Sequence, residues 1–295
     1  MTNNTKKRMS VHPLVILKVV FFLITLVSST IIVSHGIRIK SESQAMLDLS
    51  KTVEADADLP QTANPETLLP TAEPTEIPAH TPVILSQYAR LYEENADLFG
   101  WISIEDAVLD YPVMHTPDEP EKYLRTAFDG SSAISGVPFM AADCSAGCGN
   151  QIIFGHNMKD GTMFAPILKY ADKAYWQQHP IIRFDTLYEQ SEYEVVAAFY
   201  SRVFYQDETD VFRYYDCVDL SDRTVFREFV KNLQEAALYD TGRECEYGDS
   251  FITLVTCAYY TENGRFVIVA RKVDTESSIN SNQTDPQQNS TLTDY

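Results

Sequence analysis

Two short apolar runs near the end of the chain restrict its fold more than any other feature. Residues 251–257 read Phe-Ile-Thr-Leu-Val-Thr-Cys and residues 265–273 read Arg-Phe-Val-Ile-Val-Ala-Arg-Lys-Val. Both are rich in β-branched and aromatic residues and too short for stable helices, so each reads as a strand. The intervening seven residues end in Asn263-Gly264, a signal for an antiparallel hairpin. Antiparallel pairing would bring Cys257, at the end of one strand, and Arg265, at the start of the next, to the same rim. A guanidinium beside a thiol favours the thiolate, the nucleophilic form. Arg271, further along the same face of the second strand, competes for this position.

An upstream stretch points to a second rim group. Residues 151–154, Gln-Ile-Ile-Phe, read as a buried strand that delivers His156 to a strand end, ahead of a glycine-bearing loop through Gly161. Cysteine and histidine together provide a nucleophile and a proton carrier for acyl transfer, and an arginine can bind the oxyanion that develops. His115 and His179 lie in the same folded stretch without such a setting.

At these residues the sequence resembles the sortases, and within them class B. The resemblance rests on Thr253-Leu-Val-Thr-Cys257 with Arg265 eight residues on, on Gly155-His156-Asn157-Met158-Lys159-Asp160-Gly161, and on Phe99-Gly-Trp101-Ile-Ser-Ile104 followed by Tyr111-Pro-Val113. It covers residues 84–273. It implies a mostly β fold: a closed sortase-type β-barrel of about eight strands, with an N-terminal helix and a long helix inserted before the last strands.

The implied activity is that of a cysteine transpeptidase of Gram-positive bacteria. It cleaves a C-terminal sorting signal of secreted proteins through a thioacyl intermediate and passes the protein to a peptidoglycan amine. Carried onto this chain, the resemblance makes Cys257 the nucleophile, His156 the proton carrier and Arg265 the oxyanion ligand, with Val255, Thr256 and Asn157 as substrate contacts. It implies neither cofactor nor metal. Two departures limit the transfer of substrate preference: Val255 stands where many class B members carry serine, and an Asp-Asn element before a Tyr-Leu pair appears as Asp118-Glu-Pro-Glu-Lys-Tyr123-Leu124, altered and one residue longer. A pilin-polymerising enzyme, a cysteine peptidase that only hydrolyses, and a non-catalytic tethered wall or adhesion module remain as alternatives.

The N-terminal segment speaks to location. Residues 1–36 contain Lys6, Lys7, Arg8 and Lys18 and no acid, and residues 14–33 form a long, mostly apolar run that Lys18 interrupts. About twenty residues at helical rise span about 30 Å, the hydrocarbon thickness of a bilayer. Lys18 sits near the start of the run, within snorkelling reach of the headgroups. The basic cluster before the run predicts a cytoplasmic N-terminus and an exported remainder, that is, a single-pass protein of the cell membrane with an extracellular catalytic domain. A cleaved signal peptide is the competing reading, but the run is long for one and no Ala-x-Ala site follows.

Residues 37–83 shift to Pro, Thr, Ala and Glu, with Pro60, Pro65, Pro70, Pro74 and Pro78 almost evenly spaced. From about residue 41 this predicts an extended, disordered tether. Residues 84–273 form the expected catalytic domain, and residues 274–295 are polar and expected to be disordered.

Setting aside the four N-terminal cations leaves residues 37–295 with 19 cations against 42 acids, a formal charge of −23. That excludes a general nucleic-acid binder, which needs a basic face. Of five cysteines, Cys257 is the natural unpaired one. Cys144 and Cys148, three residues apart, read equally as a small disulfide or two thiols. Zinc is disfavoured because no second Cys or His pair has ligand spacing.

Within the domain, residues 82–99 read as an amphipathic helix through Leu85, Tyr88, Leu91, Tyr92 and Leu98. Further strands are expected at 101–104, 108–114 (with Pro112 at an edge), 137–140, 181–185 and 193–203. A short helix over 163–170 would be capped by Thr162. The best helix is 221–239, with Ser221 as cap, a Leu220–Val225 staple, and an apolar face of Phe226, Phe229, Val230, Leu233 and Ala237. The aromatic stretch Tyr200, Phe204, Tyr205, Phe212, Tyr214 and Tyr215 reads as core packing by default, with an aromatic-walled peptide groove as the alternative.

Overall fold

The computed structural model describes residues 13–57, 82–107 and 109–273. The basic cluster Lys6-Lys7-Arg8, most of the proline-spaced segment and the polar tail lie outside the described residues. The chain divides into two compact units between Leu47 and Asp48.

Helix α1 spans Pro13–Ala57. Its most apolar window is entirely unburied and long enough to cross a membrane. The helix does not stop where an extended tether was expected. Residues 41–57 contain no proline and are largely good helix formers, so nothing breaks the backbone ladder over this stretch.

In the second unit, eight strands close into a barrel: β1 (Leu98–Ile104), β2 (Leu109–Met114), β3 (Phe139–Met140), β4 (Asn150–Phe154), β5 (Ile181–Thr186), β6 (Glu192–Arg202), β7 (Phe251–Cys257) and β8 (Gly264–Lys272), in spatial order β1-β2-β3-β4-β7-β8-β6-β5. The expected strands are all present, with ends shifted by a few residues. Pro112 lies opposite Trp101 of β1, while on its other side β3 reaches only Met114, so the proline interrupts no long ladder.

Helix α2 (Ser86–Glu94) buries Tyr88 and Leu91, three residues apart, and the Tyr88 hydroxyl donates to Asp185 Oδ2 at 2.7 Å on β5. It ends before Leu98 because Asn95 is extended and its side-chain oxygen accepts from Asp97 N, so Leu98 opens β1 instead. Helix α3 (Lys173–Gln178), not foreseen, is capped by Asp172, whose carboxylate accepts from Ala174 N at 2.9 Å. Just before it, residues Ala165–Ala171 form a 3₁₀ turn rather than an α-helix. Thr162 does not cap it, because its hydroxyl donates to Asp160 Oδ1 at 2.7 Å.

Helix α4 (Arg223–Ala236) is the long inserted helix before β7 and buries Phe226, Phe229 and Leu233. The cap is Asp222, not Ser221. Its carboxylate accepts from Thr224 N and Val225 N at 2.6 and 3.1 Å, two amides that a hydroxyl one position earlier does not serve. The staple does not form either: Val225 is exposed, and Leu220 packs against Gly149. The rings of Phe226 and Phe229 reach Phe251, so β7 is covered on both faces and its side chains are buried throughout except at Cys257.

At the far end of β8, Arg271 pairs with the buried Glu194 and with Asp249, and Arg243 also reaches Glu194. Glu194→Ala would take from the partly buried Arg271 the nearer of its two carboxylate partners, leaving only the longer contact with Asp249. The expected loss is about 2–3 kcal/mol, below the full cost for a buried pair because Arg271 keeps some water access. Thermal unfolding checks this, with Arg243→Ala, an exposed partner, expected to cost under about 1 kcal/mol.

Candidate active site

The direction of two strand pairings builds the site. β4 and β7 run parallel with Phe154 opposite Val255, so the residues leaving both strands emerge on the same rim. β7 and β8 run antiparallel with Cys257 opposite Arg265, so the start of β8 arrives there too. Asn263, at φ 54°, takes the left-handed conformation that lets the chain turn into β8, one that asparagine tolerates better than most residues.

Three hydrogen bonds tie the end of β4 to the end of β7. Gly155 N donates to Val255 O at 3.0 Å, the Thr256 hydroxyl donates to Gly155 O at 2.7 Å, and the Asn157 amide donates to Cys257 O at 2.9 Å. His156 therefore sits on a backbone that is fixed on both sides. Its Nε2 lies 2.9 Å from Leu124 O. A carbonyl only accepts, so Nε2 carries a hydrogen and the neutral ring leaves Nδ1 free.

Gly155 cannot be another residue without a shift, because a Cβ there would lie 2.4 Å from the Phe164 ring. Gly155→Ala is expected to cost about 1–3 kcal/mol by overpacking and to displace His156. Denaturant unfolding together with turnover of the same preparation checks this. Wild-type values for both would show that the ring yields freely.

Cys257, His156 and Arg265 line one groove of about 470 Å³. All three are partly exposed. Arg265 Nη1 donates to Gly264 O at 3.0 Å and to Asn263 O at 3.2 Å, which leaves its other nitrogens uncommitted to those carbonyls. Arg271 is at the opposite end of β8, engaged as described. Val255 and Thr256 also line the groove, although the Thr256 hydroxyl is spent on Gly155 O. Asn157 is not among the lining residues; its amide is held by Cys257 O.

The rest of the lining comes largely from segments to which the sequence assigned no role. Leu124, Val137, Phe139, Ala141, Ala142 and Phe154 form an apolar wall, with Glu121 at its margin. Residues 137–140 read only as a strand, and the altered element ending in Tyr123-Leu124 was the one further signal before it. Tyr214 and Tyr215 also line the groove, so part of the aromatic stretch does face it. Burial pushes the Tyr214 hydroxyl up and keeps it neutral, with the nearby Arg265 cation opposing that rise.

A sortase domain model matches residues 102–273, more than half of the chain. The chain belongs to the sortase family. Sortase B of Listeria monocytogenes is 31% identical over 187 residues, which cover 62% of this sortase and 72% of the relative. Sortase B of Staphylococcus aureus is 26% identical over 196 residues, covering 65% and 77% respectively. The crystal structure of sortase B from Bacillus anthracis in complex with AAEK1 superposes with a TM-score of 0.62 at 25% identity, covering 81% of this sortase and 99% of that chain. The Staphylococcus aureus sortase B–substrate complex, 21% identical, shares the fold with a TM-score of 0.64 over 81% of this chain and 99% of that one. The likeness places this sortase in class B, and it is a cysteine transpeptidase by type. Among the described residues, no group of three or more His, Cys, Asp or Glu side chains is arranged to hold a metal ion.

Proposed function

We propose that this sortase cleaves a C-terminal sorting signal of secreted proteins and transfers the upstream protein to a peptidoglycan amine, with Cys257, His156 and Arg265 as the chemical groups. The observation that carries the reading is that His156, about a hundred residues upstream, lines one groove with Cys257 and Arg265.

In the first step His156 Nδ1 takes the Cys257 thiol proton as the sulfur attacks the carbonyl carbon of the scissile peptide, and the carbonyl π electrons move onto its oxygen. Arg265 and nearby backbone N–H groups bind that oxyanion. The C–N bond then breaks as His156 gives a proton to the departing amine, leaving a thioester on Cys257. In the second step an incoming amine attacks the thioester, His156 takes its proton, and the thiol is released. The Leu124 carbonyl orients the imidazole through Nε2 and leaves Nδ1 to carry the proton. Val255 and Thr256 contribute groove wall against the signal, and Asn157 acts by holding the backbone of Cys257.

The unburied apolar stretch of α1 and the basic residues before it support a single-pass anchor with the N-terminus in the cytoplasm and residues 84–273 working outside the cell. Transfer is tested with the full chain in detergent micelles, a library of sorting-signal peptides and an amine acceptor. A product carrying the acceptor is expected. Cleavage that yields only the free acid at every acceptor concentration would make the protein a peptidase, and a chain that cleaves nothing would overturn the reading.

A further inference from the structure

Cys144 and Cys148 lie in the loop between β3 and β4, outside the chemistry assigned above. Two successive turns fold this loop on itself: Cys144 N donates to Ala141 O and Cys148 N to Ser145 O, each at 3.1 Å. Gly147, at φ 86°, supplies the left-handed residue of the second turn. The result is that both sulfurs converge on one oxygen, Asn150 O, at 3.6 Å from Cys144 and 3.3 Å from Cys148. Cys144 is buried and its sulfur also accepts from Ile152 N at 3.3 Å, whereas Cys148 is partly exposed.

We propose that Cys144 and Cys148 form a second reactive site, a dithiol that exchanges with external disulfides, with Cys148 as the attacking sulfur and Cys144 as the resolving one. Geometry assigns the roles: Cys148 is the member that solvent reaches, and Cys144 is buried behind it with its sulfur on the same carbonyl oxygen. The electrostatics agree. The neighbouring Cys144 thiol holds the Cys148 thiol below the usual thiol range, and the same contact with burial pushes Cys144 up. Cys217 and Cys245 behave differently, since burial pushes each thiol up to about 11. Cys217 lends the neighbourhood only its carbonyl, which accepts from the Asn150 amide, while its sulfur turns to Arg213 O. The neighbourhood is thus a pair of thiols, not a ligand set for a metal.

The reaction balances without a further oxidant. The Cys148 thiolate attacks one sulfur of a low-molecular-weight disulfide, its S–S bond breaks, and one thiolate leaves. The Cys144 sulfur then attacks the Cys148 sulfur of the mixed disulfide, releasing the second thiolate, and the protons of the two cysteines end on the two released thiols. The external disulfide is reduced and the loop is oxidised. The ring so formed removes two S–H donors from Asn150 O and staples the loop whose residues Ala141 and Ala142 line the groove.

The test uses the full chain in detergent with Cys257→Ala, which keeps the proposed nucleophile from scrambling the products and makes the result independent of its role. After exposure to oxidised glutathione and acid quenching, peptide mass mapping should find Cys144 joined to Cys148, lighter than the reduced pair by two hydrogens. Cys144→Ser should stop at a stable glutathione adduct on Cys148, and Cys148→Ser should slow reaction at this loop by about tenfold or more. If either serine variant misfolds, pulsed alkylation of the unsubstituted loop decides, with Cys148 expected to react ahead of Cys144, Cys217 and Cys245. A mixed disulfide that persists on Cys148 while Cys144 is present, or a Cys148 no faster than Cys245, would overturn the proposal.

Discussion

Cys257→Ala is expected to abolish transpeptidation, with a loss on the order of 10⁴ to 10⁶ in turnover, while leaving the fold intact. The size follows from covalent catalysis: without sulfur there is no thioester, and the groove and guanidinium can only bind. The fold should survive because Cys257 is the one β7 side chain not fully buried, at the open end of a strand whose other residues are packed. Stability should change by no more than about 0.5 kcal/mol. The measurements are acceptor-dependent product formation and denaturant unfolding on the same preparation. Residual turnover within about tenfold of wild type would remove Cys257 from the chemistry. A thiol-directed methanethiosulfonate reagent gives an independent check, read cysteine by cysteine because Cys148 is also expected to take it.

Arg265 should rank second. Arg265→Ala is expected to lower kcat/KM by about 10²–10³, the usual effect of removing a donor from a developing oxyanion, with most of the loss in kcat. Arg265→Lys should recover little, since one ammonium cannot offer the planar fork of donors that a guanidinium presents. Arg271→Ala is the control on the same strand. It breaks the contacts with Glu194 and Asp249 and should reduce stability more than turnover in the surviving folded protein. Full activity of the lysine variant, or equal kinetic losses at the two arginines, would remove the oxyanion role from Arg265.

Several elements were legible because their signals are local. The short β-branched and aromatic runs at 251–257 and 265–273 needed no partner to be read as strands, and the apolar spacing of Phe226, Phe229 and Leu233 marked the inserted helix. Where the competing residues were neighbours, local reading failed. Ser221 and Asp222 both suit a helix cap, and the choice rests on which side-chain oxygen meets Thr224 N and Val225 N. Composition averaged over a window suggests a tether from about residue 41, whereas residues 41–57, which contain no proline, continue the helix.

The sequence by itself determined which segments become strands, that a thiol and a guanidinium flank one hairpin, and that an imidazole follows a buried strand. Tertiary structure decided that β4 lies parallel to β7, which sets His156 beside the end of a strand about a hundred residues away. It also decided that Leu124, Phe139 and Ala141 become a groove wall and that two loop sulfurs meet over Asn150 O. The physical reason is range. Propensity and periodicity act over a few residues along the chain, whereas register between distant strands is settled by which apolar faces close the barrel, a cost and gain that no single segment carries.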